Sequence, residues 1–166
     1  KHYGLSYKPV KIVDTFQMLG EVDRDLADAM GVDCIGVGGT RDIFDHDTEC
    51  MHEQVTPWGQ KVLVPIQLDL TQDKEGDVYV YAGGDKNYPP SAVMPNGCFF
   101  INAIERQQPI DEDKLNPMDN LEEFNSITDE ELDAYKKKVN EASATGRAVV
   151  ASFGGTALGD VAFVPG

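Results

Sequence analysis

No apolar run approaches the roughly 18 residues that a bilayer-crossing helix needs, and residues 1–11 lack the apolar middle of a signal peptide. Basic side chains are scarce as well. Against 29 Asp and Glu stand 14 Lys and Arg, a net charge of −15, which repels phosphate backbones and anionic lipid within the screening length. Nucleic-acid and membrane partners are therefore not expected. The cysteines, Cys34, Cys50 and Cys98, are odd in number and far apart, which argues against a disulfide framework and leads us to expect a reducing, cytoplasmic setting. The chain opens on Lys1 without an initiating Met, so further residues are expected upstream. Internal repeats and low-complexity tracts are also missing. What remains is 166 residues, 41% of them hydrophobic, enough to bury a core as a single domain over residues 1–166.

Apolar residues Phe16, Leu19, Val22, Leu26 and Met30 recur at steps of three and four among acidic residues, a spacing that predicts an amphipathic helix over 14–30. Asp14 would cap it with Gln17 answering, and Gly31 would stop it. Residues 34–37 then read as a buried strand running into glycine. A second helix is expected from Thr128, capped through Glu131 and ended by Gly146, followed by another buried strand over 148–153. We expect these two strands to lie side by side and parallel.

Between them, residues 55–102 read as an excursion. Val62, Val64, Ile66, Leu68 and Leu70 alternate with other residues, and 78–81 alternates again beyond a turn-like stretch, which predicts an antiparallel hairpin with Pro65 on an edge strand. Residues 83–97 would be an ordered loop, and 98–101 a brief strand or anchor.

In parallel α/β folds, ligands gather where loops leave the carboxyl ends of strands. Two loops qualify. In Gly38-Gly39-Thr40-Arg41-Asp42 the glycines admit close backbone approach, and Arg41 can hold an anion bidentately; a plain surface turn with an Arg41–Asp42 pair is the competing reading. In Gly154-Gly155-Thr156-Ala157-Leu158-Gly159-Asp160 backbone N–H groups can form a cradle, although the Lys-Ser/Thr ending of a phosphate-binding Walker motif is lacking. His46, Cys50 and His52 offer zinc-type donors, but at no standard spacing. Solvent-facing histidines and one buried cysteine are preferred, and no metal ligand is assigned. Lys136, Lys137 and Lys138 are read as the outer face of the second helix. No serine sits in a nucleophile elbow, so no triad is assigned.

The stretch over 20–38, with Leu26-Ala27-Asp28-Ala29-Met30-Gly31-Val32-Asp33, together with Pro57-Trp58-Gly59 and the glycine-bearing 153–160, resembles the uroporphyrinogen decarboxylase superfamily, notably the decarboxylase-like proteins of anaerobic microbes. The resemblance implies the amino-terminal half of a TIM barrel with the hairpin excursion inserted after its first strand. It also implies one of two chemistries. Decarboxylation in tetrapyrrole biosynthesis uses arginines near the chain start and an aspartate after the first strand; here that place holds Gly39-Thr40-Arg41, with Asp42 later, and only Arg24, Arg41, Arg106 and Arg147 could meet a polycarboxylate. Methyl transfer between a corrinoid protein and a small molecule, with zinc held in the remainder of the barrel, is the preferred branch by elimination. This part would bind neither zinc nor corrinoid and would line the pocket mouth with Thr40, Arg41, Asp42, Gly154, Gly155 and Thr156. A non-catalytic fragment or binding module is the third reading, with homodimerisation covering an open sheet edge.

Overall fold

The computed structural model describes residues 2–106, 111–114, 116 and 127–152. Three small sheets carry the fold. In the first, β1 (Val10–Asp14) pairs with β2 (Leu19–Gly20) antiparallel and with β5 (Lys61–Pro65) parallel, and β5 pairs antiparallel with β4 (Met51–Val55), in the order β2-β1-β5-β4. In the second, β6 (Val78–Val80), β7 (Ala92–Met94) and β8 (Asn102–Ala103) form an antiparallel meander. The third pairs β3 (Cys34–Val37) with β9 (Ala148–Ala151). Two α-helices stand among the described residues, α1 (Arg24–Met30) and α2 (Asp129–Ser143).

This arrangement overturns the expected half TIM barrel. A barrel half needs strands and helices in strict alternation, with each strand parallel to its neighbour, whereas the described residues build mixed and antiparallel sheets with few helices. The core makes the reason plain. Ile12, Phe44, Val62, Val64, Leu68, Leu70, Val78, Val80, Ala92, Met94 and Ile101 form one buried cluster, so the segment read as an excursion supplies most of the apolar interior. No residue of β3, β9 or α2 belongs to that cluster.

The helix expected over 14–30 shrinks to its last third. Phe16 and Met18 pack on the strand-built core, Leu19 and Val22 are exposed, and Met18 takes a left-handed backbone angle of 54°. Asp14 does accept the Gln17 amide, at 2.9 Å, but in a turn between β1 and β2. A helix begins only where the Asp23 carboxylate accepts the Leu26 amide at 2.9 Å. Gly31 ends it with φ 69°, as the sequence led us to expect.

The expected hairpin is also corrected, because β5 takes β4 and β1 as partners and β6 takes β7. Pro65, with no amide hydrogen, closes β5 at its last position, and the Leu68 amide turns back to the Pro65 carbonyl at 2.9 Å. Leu68 and Leu70 then dive into the core rather than extend the strand. Pro65 thus ends an interior strand, not an edge one. The loop expected over 83–97 contains β7, and in 98–101 the anchor is Ile101 alone, buried while Phe99 and Phe100 are exposed.

The parallel neighbours inferred from sequence are present: Cys34 faces Ala148, and Val37 faces Ala151. Their burial is not as expected. Cys34, Gly36, Ala148, Val150 and Ala151 are exposed, and α2 packs on both strands, so one face of the pair is covered and the other is open. The helix itself starts as expected, with the Thr128 hydroxyl accepting the Glu131 amide and the Glu131 carboxylate accepting the Thr128 amide. Thr128→Ala should therefore lower stability by about 1 kcal/mol in a urea titration; an unchanged midpoint would show that packing alone holds this end. No described helix is long and apolar enough to cross a membrane.

Candidate functional site

β3 delivers the chain into a tight excursion over residues 38–48. The Thr48 amide donates to the Thr40 carbonyl at 2.8 Å, the Asp42 amide to the His46 carbonyl at 3.0 Å, and Asp45 turns the chain with φ 60°. Beyond β9, the Ser152 amide donates to the Val37 carbonyl at 2.8 Å. The carboxyl ends of β3 and β9 therefore open on the same rim. Gly154, Gly155 and Thr156, expected on that rim, lie outside the described residues.

Thr40 is half-buried and Arg41 exposed. One Arg41 nitrogen donates to the Asp45 carbonyl at 3.0 Å and pairs with the Asp45 carboxylate at 3.2 Å, while the side chain keeps 50% of its surface in solvent. The Arg41–Asp42 pair weighed from sequence is thus replaced by Arg41–Asp45. Lys138, expected on the outer face of α2, instead reaches across to the Gly39 carbonyl at 3.0 Å and to Glu49 at 2.7 Å. At Gly38 and Gly39 an added Cβ would meet no atom within 4 Å. Packing among the described residues does not call for glycine there, and the backbone is open to close approach.

Asp42 turns the other way. Its Oδ1 accepts the Phe44 and His46 amides, both at 2.9 Å, and its Oδ2 accepts the Thr15 hydroxyl at 2.5 Å and His46 Nδ1 at 3.1 Å. His46 Nε2 donates to the Tyr81 carbonyl at 2.9 Å. With both ring nitrogens facing acceptors, the imidazole is held as the doubly protonated cation. Burial opposes charge on each partner, but their mutual hydrogen bond, helped by the Thr15 hydroxyl, outweighs it: the Asp42 carboxyl is held below its usual range and the His46 imidazole above its own. Asp42 is therefore a buried brace between β1, the 38–48 loop and the end of β6, and it presents no carboxylate to a ligand.

The zinc-type donors separate in space, and their burial is the reverse of the sequence reading. His46 is fully buried and both of its nitrogens are engaged, while Cys50 is exposed. Gln54 Nε2 donates to the Leu68 carbonyl at 2.7 Å, and His52 Nε2 lies 2.8 Å from Gln54 Nε2 and 3.2 Å from that carbonyl, so this ring nitrogen is engaged in either tautomer. The hydrogen bond and charge of Asp47 push the Cys50 thiol up, away from the thiolate a metal needs. These three residues do not fit a zinc ion, and no cluster of three metal-ligating side chains occurs among the described residues.

Sequence reasoning missed the Asp42–His46–Thr15 brace, because its bonded partners lie up to 35 positions apart and the i, i+4 spacing of Asp42 and His46 carried no distinguishing signal. It also missed an exposed ring pair, Trp58 and Phe99, with centroids 5.1 Å apart. Compared with protein-family models, curated proteins and solved structures, the chain matches none.

Proposed function

We propose that this chain supplies the substrate-binding rim of a cytoplasmic methyltransferase, which moves a methyl group between a corrinoid protein and a small molecule. The observation that carries the reading is the parallel β3–β9 pair, whose carboxyl ends meet through Ser152 and Val37. That is where ligands collect in parallel α/β units. Arg41 is the cation offered at this rim, and its fork can take a carboxylate, sulfonate or phosphate of the small molecule. Thr40 adds a hydroxyl, and the open space over Gly38 and Gly39 lets the ligand lie against backbone. Asp42 acts only by holding the loop in place. The free, exposed state of all three cysteines accords with a reducing compartment. No step is assigned to zinc or corrinoid.

The test is binding of a small anionic thiol, followed by titration calorimetry, in the wild-type chain and in Arg41→Ala. Loss of one charged hydrogen-bonding partner should weaken acceptor affinity about tenfold or more. Equal affinity in the two proteins removes Arg41 from the rim, and the absence of saturable thiol binding by the wild-type chain counts against the rim itself.

A further inference from the structure

Away from the β3–β9 rim, two exposed aromatic rings flank a cleft. Trp58 lies in the tight turn joining β4 to β5, where the Thr56 amide bonds the Gln60 carbonyl at 2.9 Å, and Phe99 follows β7. They meet edge to face at 60°, yet Trp58 stays 37% and Phe99 57% exposed. The open cleft beside them has a volume of about 130 Å³ and is walled also by Pro57, Gln72, Asn96 and Cys98. Large exposed rings gathered around a concavity are uncommon unless something binds there.

The turn beside the cleft carries three carboxylates, Asp73, Glu75 and Asp77, against one ammonium group, Lys74. None of its lining residues is basic, and both of its amide side chains are held by the acidic turn over 73–77. Gln72 Nε2 donates to the Gly76 carbonyl at 2.8 Å, Asn96 Nδ2 to the Glu75 carbonyl at 3.0 Å, and the Asn96 amide to the Asp77 carboxylate at 2.8 Å. The Asp77 carboxylate thus touches the wall directly, while the Asp73 carboxylate accepts the Glu75 and Asp77 amides within the turn. The potential of the turn reaches the neighbouring strand, since Tyr79 is pushed up first by desolvation and then by its three carboxylates.

We infer that this cleft binds a small alkylammonium cation. Ring faces attract a cation within about 6 Å of their centroids, the methyl shell of such an ion makes the apolar contacts that Pro57 and Phe99 offer, and the acidic turn selects positive over neutral or negative ligands. The site stands apart from the proposed methyl-transfer rim and does not depend on it.

Trp58 is the one tryptophan of the chain, so indole emission reads the cleft directly. The full chain is titrated with tetramethylammonium chloride, ionic strength being held constant with sodium chloride, and separately with tert-butanol as an uncharged molecule of similar shape. The expected result is a saturable change with tetramethylammonium, at least about fivefold weaker for tert-butanol. Phe99→Ala, which removes an exposed ring and leaves the core intact, should weaken the cation about fivefold, and Glu75→Gln about twofold. As a second reading, tetramethylammonium should slow alkylation of Cys98 while leaving Cys34 and Cys50 unchanged. A linear, non-saturating response, equal response to tert-butanol, unaltered affinity in Phe99→Ala with native circular dichroism, or unprotected Cys98 would each overturn the assignment.

Discussion

Replacing Asp42 by alanine is expected to lower the unfolding free energy by about 3–5 kcal/mol, the range found when one member of a buried, hydrogen-bonded ion pair is removed. Four donors lose their acceptor at once: the Thr15 hydroxyl, the Phe44 and His46 amides, and His46 Nδ1. The imidazolium would be left charged in a place with no exposure to water, so it must either shed its proton or open the loop. Urea unfolding at pH 6 measures the loss. Asp42→Asn keeps one acceptor oxygen and the side-chain shape, and should lose clearly less. A deficit below about 1 kcal/mol in the alanine variant would show that water enters and replaces the carboxylate.

The same pair gives stability a pH window. His46 is held above its ordinary value in the folded chain, so its contribution is complete below about pH 6.5 and fades as pH rises through the raised folded value. Asp42 is held below its ordinary value, so its contribution is complete above about pH 3.9 and fades as pH falls through the lowered folded value. Stability should therefore be greatest between about pH 4 and 6.5. The alkaline decline should shrink in a His46→Gln variant; an equal decline in both proteins would place its source in the chain's general acidic repulsion instead.

What could be read in the sequence follows from how local each signal is. The capping box of Thr128 and Glu131, the stop at Gly31, and the parallel relation of β3 and β9 all rest on a few adjacent residues or on strand–helix–strand order, and all are present, whereas α2 ends at Ser143 with Ala144 as its cap, ahead of the expected Gly146. The period over 14–30 misled because Phe16 and Met18 are core residues of a strand-and-turn unit, and spacing alone cannot distinguish that from one face of a helix. The period-two run over 61–70 was sound as far as Pro65, but strand partners are fixed by packing between distant segments, and β5 found β1 and β4. Burial of β3 and β9 was inferred from apolar composition, although Cys34, Ala148 and Val150 face outward. At the site, Arg41 and Thr40 lie at the strand end where the glycines pointed. Asp42 does not serve there, because its partner Thr15, and the Tyr81 carbonyl that holds its other partner His46, are distant in the chain.

Phe44 gives the second large effect and connects the core to the rim. It is 1% exposed, sits in the core cluster, and lies with its ring centroid 6.5 Å from Phe16 and 5.9 Å from His46. Its backbone is used as well, with the amide on Asp42 at 2.9 Å and the carbonyl accepting the Gly83 amide at 2.8 Å. Truncation to alanine should lower stability by about 3–5 kcal/mol through lost burial and the cavity left behind, and Phe44→Leu by clearly less. The cavity would lie directly beneath the 38–48 loop. Amide exchange at His46 and Thr48, whose protons are given to Asp42 and Thr40, should therefore accelerate more than exchange within β5, and affinity at Arg41 should weaken although its side chain is untouched. If His46 and Thr48 exchange no faster relative to β5, the loop is held by the Asp42 brace alone, and Phe44 contributes to the core without positioning the rim.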